Sequence, residues 1–231
     1  MSLTNKTVLV TGASRGFGLA IAKAMLTAEA TVIGWGRDAK ALGDAQQTLE
    51  AIGGSFTLDV VDVTDESVVA ERIAALPRLD VLINNAGIAR CRPLFDTPTQ
   101  ELRNILDVNV IGAFNVMREA ARLMVKLGAG GLMINIASDA AVRGIGNMAP
   151  YCASKHALLG LGRSVAQELR NTGVRITTFC PGGIATNILG PGGEDNPHAM
   201  DPDELAASVV QIAELSARIE VQEFLVLPMS V

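Results

Sequence analysis

Thr7-Val8-Leu9-Val10-Thr11-Gly12-Ala13-Ser14-Arg15-Gly16-Phe17-Gly18 decides the fold. Thr7 to Val10 is a short β-branched and aliphatic run, the pattern of a buried strand. The glycine-rich turn follows at once. Leu19, Ile21, Ala22, Met25 and Leu26 then recur at helical spacing. A strand, a glycine-rich turn and a helix in that order make a phosphate cradle. Glycine lets the backbone turn tightly and approach a ligand, and the helix N-terminus attracts an anion. The spacing is Gly-x-x-x-Gly-x-Gly, which differs from the Gly-x-Gly-x-x-Gly of the general dinucleotide fingerprint.

Working outward, the same alternation continues to the end of the chain. Strands are expected at 31–35, 56–61, 79–83, 131–137, 174–179 and 223–227. Helical patterns lie between them: 39–52, a helix through Ile73, a long one over 99–127, one carrying Tyr151 to Val165, and a last one capped by Asp201. This predicts an α/β chain: a single doubly wound Rossmann-type domain over residues 1–231, with a seven-stranded, mainly parallel sheet and helices on both faces. The Gly- and Pro-rich stretch 187–200 is expected to be a short lid over a substrate.

Composition narrows the function classes. The net charge is -5 with no basic block, which argues against nucleic acid as a partner. Cys91, Cys152 and Cys180 are widely spaced and form neither a disulfide framework nor a zinc pattern. Only His156 and His198 are present, so no metal site is expected. Met1 to Lys6 lacks the design of a signal peptide, and no apolar run is long enough to span a bilayer. Together these predict a cytoplasmic protein with no membrane partner.

Tyr151 and Lys155 are four residues apart, on one face of a helix that Pro150 suits at its start. An ammonium beside a phenol favours the phenolate, which would lower a pKa that begins near ~10. That chemistry suits a tyrosine exchanging a proton near neutral pH. Ser138 ends the apolar run Leu132-Met133-Ile134-Asn135-Ile136-Ala137. It should stand at a strand's carboxyl edge, where open α/β sheets keep their sites.

Ser138, Tyr151 and Lys155, behind a Thr11-Gly12-x-x-x-Gly16-x-Gly18 turn, resemble the classical short-chain dehydrogenase/reductase family. The resemblance extends to Asn84-Asn85-Ala86-Gly87, Asp62-Val63, Asn109 and Cys180-Pro181-Gly182-Gly183-Ile184-Ala185-Thr186, in the family's order. It implies an oxidoreductase that interconverts a ketone or aldehyde and an alcohol. It implies Tyr151 as proton donor, with Ser138 orienting the substrate oxygen. Lys155 would lower the Tyr151 pKa and bind the nicotinamide ribose, and Asn109 would distort its helix and hold a water in the proton relay. Gly12, Ser14, Arg15, Gly16, Phe17 and Gly18 would cradle the cofactor phosphates. Asp62 and Val63 would meet the adenine, and Asn85, Ala86 and Gly87 would pass close to the cofactor, with Asn85 bonding either a strand end or the ribose. Pro181, Gly182, Ile184 and Thr186 would meet the carboxamide end.

The second strand ends in Gly36-Arg37-Asp38, with no acid where NAD-using relatives of this type carry one. Arg37 and Arg15 together suit a 2′-phosphate, so the implied cofactor is NADP(H). Asp38 is expected to cap the next helix. Asp62 and the cap of the following helix, Thr64 or Asp65, use different residues. The family also implies a homodimer or homotetramer, with the Asn109 and Tyr151 helices most often at the interface. The tail Leu227-Pro228-Met229-Ser230-Val231 departs from the Val-Asp-Gly-Gly segment of many tetrameric relatives. The substrate is expected to be a small carbonyl or alcohol. A 3-oxoacyl-(acyl-carrier-protein) reductase is the alternative, with Arg90, Arg92 and Arg143 facing an acidic carrier. A sensor or scaffold that binds NADP without chemistry is a further one.

Overall fold

The aliphatic runs expected as strands all pair with one another. The computed structural model describes residues 3–229, so Met1, Ser2, Ser230 and Val231 lie outside it, and with them parts of the leader and tail readings. In chain order the strands are β1 (Thr7–Thr11), β2 (Thr31–Gly36), β3 (Phe56–Val60), β4 (Val81–Asn84), β5 (Gly131–Ile136), β6 (Val174–Pro181) and β7 (Glu223–Val226). They form one sheet in the order β3-β2-β1-β4-β5-β6-β7. Every pairing is parallel, where the sequence supported only a mainly parallel sheet.

Parallel strands covered on both faces need apolar residues at successive positions. Val8 and Val10 point to one core and Leu9 to the other; Ile83 and Leu82, and Ile134 and Met133, divide in the same way. Helices α1 (Gly16–Thr27) and α7 (Pro202–Glu214) cover the first face, and Leu49 of α2 (Ala39–Glu50) joins them. Helices α3 (Glu66–Ala74) and α5 (Ala113–Leu127) cover the second, helped by Ala166 of α6 (Ala149–Glu168). The caps follow the sequence. Asp38, Asp65 and Asp201 each accept from two backbone N–H groups at the starts of α2, α3 and α7.

The long helix expected over 99–127 is not one α-helix. It comprises α4 (Thr99–Leu106), a π-helical turn over Asp107–Gly112, and α5. Asn109 sits in that turn with no exposure. Its Oδ1 accepts from the Ile88 N–H at 2.8 Å, and its Nδ2 donates to the Ile88 carbonyl at 2.9 Å and to Ser154 Oγ at 3.0 Å. A polar side chain bound sideways to a loop and to α6 is a recognised cause of such a bulge.

The chain leaves β1 toward β2 and β3, then returns to place β4 on the other side of β1. The carboxyl ends of β1 and β4 therefore flank a topological switch point, where a crevice opens.

Candidate active site

The glycine turn is closed by small atoms and clamped from β4. Gly12 has φ +68°, and a Cβ on Gly18 would lie 2.1 Å from the Gly12 carbonyl oxygen, so neither position accepts a side chain. The Thr11 hydroxyl accepts from the Asn85 and Ala86 N–H groups, both at 3.0 Å. Asn85 Nδ2 donates to the Thr11 carbonyl at 2.9 Å. Of its two expected partners, Asn85 thus takes the strand end. The α1 N-terminus has no side-chain cap and no acid in its first turn, which leaves its N–H groups open to an anion. Thr186 reaches this turn from beyond β6, because a Cβ on Gly16 would touch its Cγ2 at 3.5 Å. Pro181 ends β6, Gly182 packs against Pro228, and Ile184 bridges to Met200.

At the end of β2, Arg37 is 63% exposed, with Asp62 Oδ2 3.9 Å away. Arg15 is exposed as well, beside Ser14 and ahead of buried Phe17. Asp62 Oδ1 accepts from both the Thr64 N–H and its hydroxyl, which fixes the carboxylate after β3. Val63 is buried and packs against Gly112 of the π-turn.

The second half of the site lies beyond β5. Ser138 caps a short 3₁₀ turn over Asp139–Ala141 and accepts from the Ala140 N–H at 3.1 Å. Tyr151 and Lys155 both rise from the first turns of α6, and both are buried. The Ser138 hydroxyl lies near enough to the Tyr151 phenol to act on its pKa. Lys155 Nζ lies 5.6 Å from the centre of the Tyr151 ring and donates to the Ile136 carbonyl at 2.8 Å. Gly87 lies between Lys155 and Asn109, since a Cβ there would be 3.3 Å from Asn109 Oδ1 and 3.7 Å from Lys155 Nζ. The four expected reaction-centre residues are therefore gathered in one place.

The electrostatics correct the expectation for Tyr151. Burial pushes its phenol up to about 12, and the Asp139 charge adds to that, while the Ser138 hydroxyl works the other way. Lys155 does not bring the phenol below its ordinary value, because its ammonium is directed at Ile136 and not at the phenolic oxygen. Burial also brings Lys155 itself down to about 8, offset in part by the neighbouring Cys180 thiol.

One residue beside the centre escaped the sequence reading. Asp139 is buried next to Ser138, and its Oδ1 accepts from Ser138 Oγ at 3.0 Å. Arg143, four residues on, donates to Asp139 Oδ2 through Nε at 2.8 Å and also through Nη2. The i, i+4 spacing of opposite charges was the visible signal.

The short chain dehydrogenase family model matches residues 6–197. The chain belongs to the short-chain dehydrogenase/reductase family. Gluconate 5-dehydrogenase of Gluconobacter oxydans is 37% identical over 191 residues, covering 81% of this chain and 74% of that protein. The 3-oxoacyl-[acyl-carrier-protein] reductase of Escherichia coli is 32% identical over 213 residues, with 92% and 84% covered. A crystal structure of a candidate NAD(P)-dependent gluconate 5-dehydrogenase from Beutenbergia cavernae, with NADP bound at low occupancy, superposes with a TM-score of 0.89. It shares 32% identity and covers 97% of this chain and 96% of that one. Like its family, the chain is an NAD(P)-dependent oxidoreductase acting on an alcohol/ketone pair.

Proposed function

We propose that this chain is a single NADP-binding domain that reduces a small carbonyl compound, or oxidises the matching alcohol, with Tyr151 as the proton-transferring group. The observation that carries the reading is the burial of Ser138, Tyr151 and Lys155 in one place, with Lys155 Nζ 5.6 Å from the centre of the Tyr151 ring. A dinucleotide fits the residues present. The turn at Gly12, Gly16 and Gly18 admits no side chain where a pyrophosphate backbone contact is needed, and the α1 N–H groups are open. Ser14, Arg15 and Phe17 would complete that cradle, and Asp62 and Val63 would meet the adenine. Ala86 and Gly87 line the middle of the crevice, held by Asn85. Pro181, Gly182, Ile184 and Thr186 would hold the carboxamide end. The bound nicotinamide supplies the hydride.

The protein's own groups manage the oxygen and its proton. Tyr151, protonated at neutral pH, donates to the carbonyl oxygen as negative charge develops there. Ser138 hydrogen-bonds the same oxygen. Lys155 would bind the nicotinamide ribose and, with Asn109 across Gly87, would hold a water that restores the proton.

For the cofactor, Arg37 and Arg15 with no acid at the end of β2 favour the 2′-phosphate. Arg37→Ala is expected to weaken NADPH binding by about 1–3 kcal/mol, the scale of a charge-assisted hydrogen bond, and to leave NADH binding almost unchanged. Fluorescence titration with both dinucleotides decides it. Tighter wild-type binding of NADH than of NADPH would reject the NADP assignment.

The relatives named for gluconate favour a small polar substrate. Carrier-linked acyl substrates are the second reading, supported by the Escherichia coli reductase. Arg92 and Arg143 are already paired with Glu101 and Asp139, which weakens the case for an acidic carrier.

A further inference from the structure

Arg143 is tied to the reaction centre through a single carboxylate. Asp139 Oδ1 lies 3.0 Å from Ser138 Oγ, while Asp139 Oδ2 accepts from Arg143 Nε at 2.8 Å and from its Nη2. The guanidinium and the Ser138 hydroxyl therefore sit on the two oxygens of one carboxyl group. Asp139 is buried and Arg143 is 62% exposed, so the buried end fixes the outer one. The Arg143 N–H also donates to the Asp139 carbonyl at 3.1 Å.

A guanidinium presents N–H donors along more than one edge. Asp139 takes the Nε–Nη2 edge, and no other acceptor among the described residues bonds this side chain. The Nη1–Nη2 edge remains open, and it matches a carboxylate in a bidentate fit. The neighbouring cations are engaged elsewhere. Arg92 is paired with Glu101, and Arg90 is turned back onto the Ala89 carbonyl. Around Tyr151 the packing is apolar, from Ala89, Ala140, Met148 and Cys152, with Ile145 against them. A Cβ on Gly144 or Gly146 would meet nothing within 4 Å, so the loop that carries Arg143 borders open space.

We propose that Arg143 is a specificity-determining residue that binds a carboxylate of the substrate, a few bonds from the carbonyl group, so that the chain selects keto acids and the matching hydroxy acids. The proposal rests on the reading of Ser138 and Tyr151 given above and names the substrate class of that site. Asp139 holds the open edge in place. Its charge offsets that of Arg143 at long range, which leaves the close bidentate contact as the source of selectivity.

The test offers linear keto acids of increasing chain length, each beside its neutral primary amide, with reduced cofactor. At one length, wild type is expected to favour the acid by about tenfold or more in kcat/KM, mostly through KM, the scale of a charge-assisted hydrogen bond. Arg143→Gln should bring the acid-to-amide ratio close to one. Leaving Asp139 without its partner disturbs acid and amide alike, so that effect cancels in the ratio. Arg143→Lys keeps the charge without the fork and should fall between. A wild type with no preference for the acid at any length would overturn the proposal, as would a preference that survives in Arg143→Gln. If that variant does not fold, Arg143→Lys decides, and an undiminished preference there overturns it. Calorimetric titration of the same keto acids into the complex with oxidised cofactor, where they cannot react, separates the two readings. Binding that weakens about tenfold in Arg143→Gln, in a chain that reduced no carbonyl compound, would sink the functional reading and leave the carboxylate site standing. Binding that is absent, or indifferent to Arg143, overturns the site.

Discussion

At Lys155 burial and charge are in conflict. The ammonium is enclosed at the end of β5, it donates to the Ile136 carbonyl, and desolvation brings its pKa down to about 8. Tyr151 lies at about 12, so it stays protonated through the range in which Lys155 titrates. A lysine is cationic below its pKa and loses that charge as pH rises through it. We therefore expect kcat/KM for carbonyl reduction, which reports groups of the free enzyme, to hold below that point and to fall as pH rises through about 8. A profile that stays flat well past that point would show that the Lys155 charge is not needed. The spacing of Tyr151 and Lys155 was legible in the sequence, and so was Ser138 at a strand end. The direction of the Lys155 ammonium was not. Spacing places two side chains on one helix face, but the Ile136 carbonyl on a different element decides where the ammonium points. Asp139 was hidden for the same reason, since its neighbours matter only once the turn after β5 folds Ser138 against it.

Among the elements, the π-turn between α4 and α5 carries the most specific expectation. Asn109→Ala would remove the partners of the Ile88 N–H and carbonyl, both held at under 3 Å by one side chain. A fully buried backbone group left unpaired costs about 1–3 kcal/mol and these are partly buried, so a measurable loss of stability below that scale is expected in denaturant unfolding, along with lost activity. Unfolding at the wild-type midpoint would show that the turn holds without Asn109. An Asn inside a helical pattern was visible as a local misfit, but the change of hydrogen-bond register was not, because it depends on Ile88 and Ser154 from distant segments. Strand positions were legible from aliphatic runs, with ends moving by one or two residues. β4, for instance, begins at Val81 and not at Leu79. Lys6 and Arg78 both pair with Asp80, which holds the segment just before that strand.

For the molecule as a whole, the all-parallel order puts the glycine turn, the β4 end and the Ser138 turn on one edge of the sheet. Alternating strand and helix patterns made that topology readable, because parallel strands need crossovers and each crossover here is a helix. Association with other copies was readable only by resemblance. Several apolar residues of the 99–127 segment turn inward, Ile105 and Met117 among them, yet Ile111 is 50% and Phe114 38% exposed on its outer side. We expect this face to bury itself in a homo-oligomer, and light scattering at micromolar concentration checks it; a monomer mass would reject it. The central claim is that this edge of the sheet assembles a proton donor at Tyr151 over a cofactor cradle. Tyr151→Phe tests it most directly, because it removes one hydroxyl and leaves the ring packing in place. With a carbonyl substrate that wild type reduces, turnover should fall by at least ~10²-fold while NADPH binding is retained. Turnover near the wild-type rate would contradict the claim.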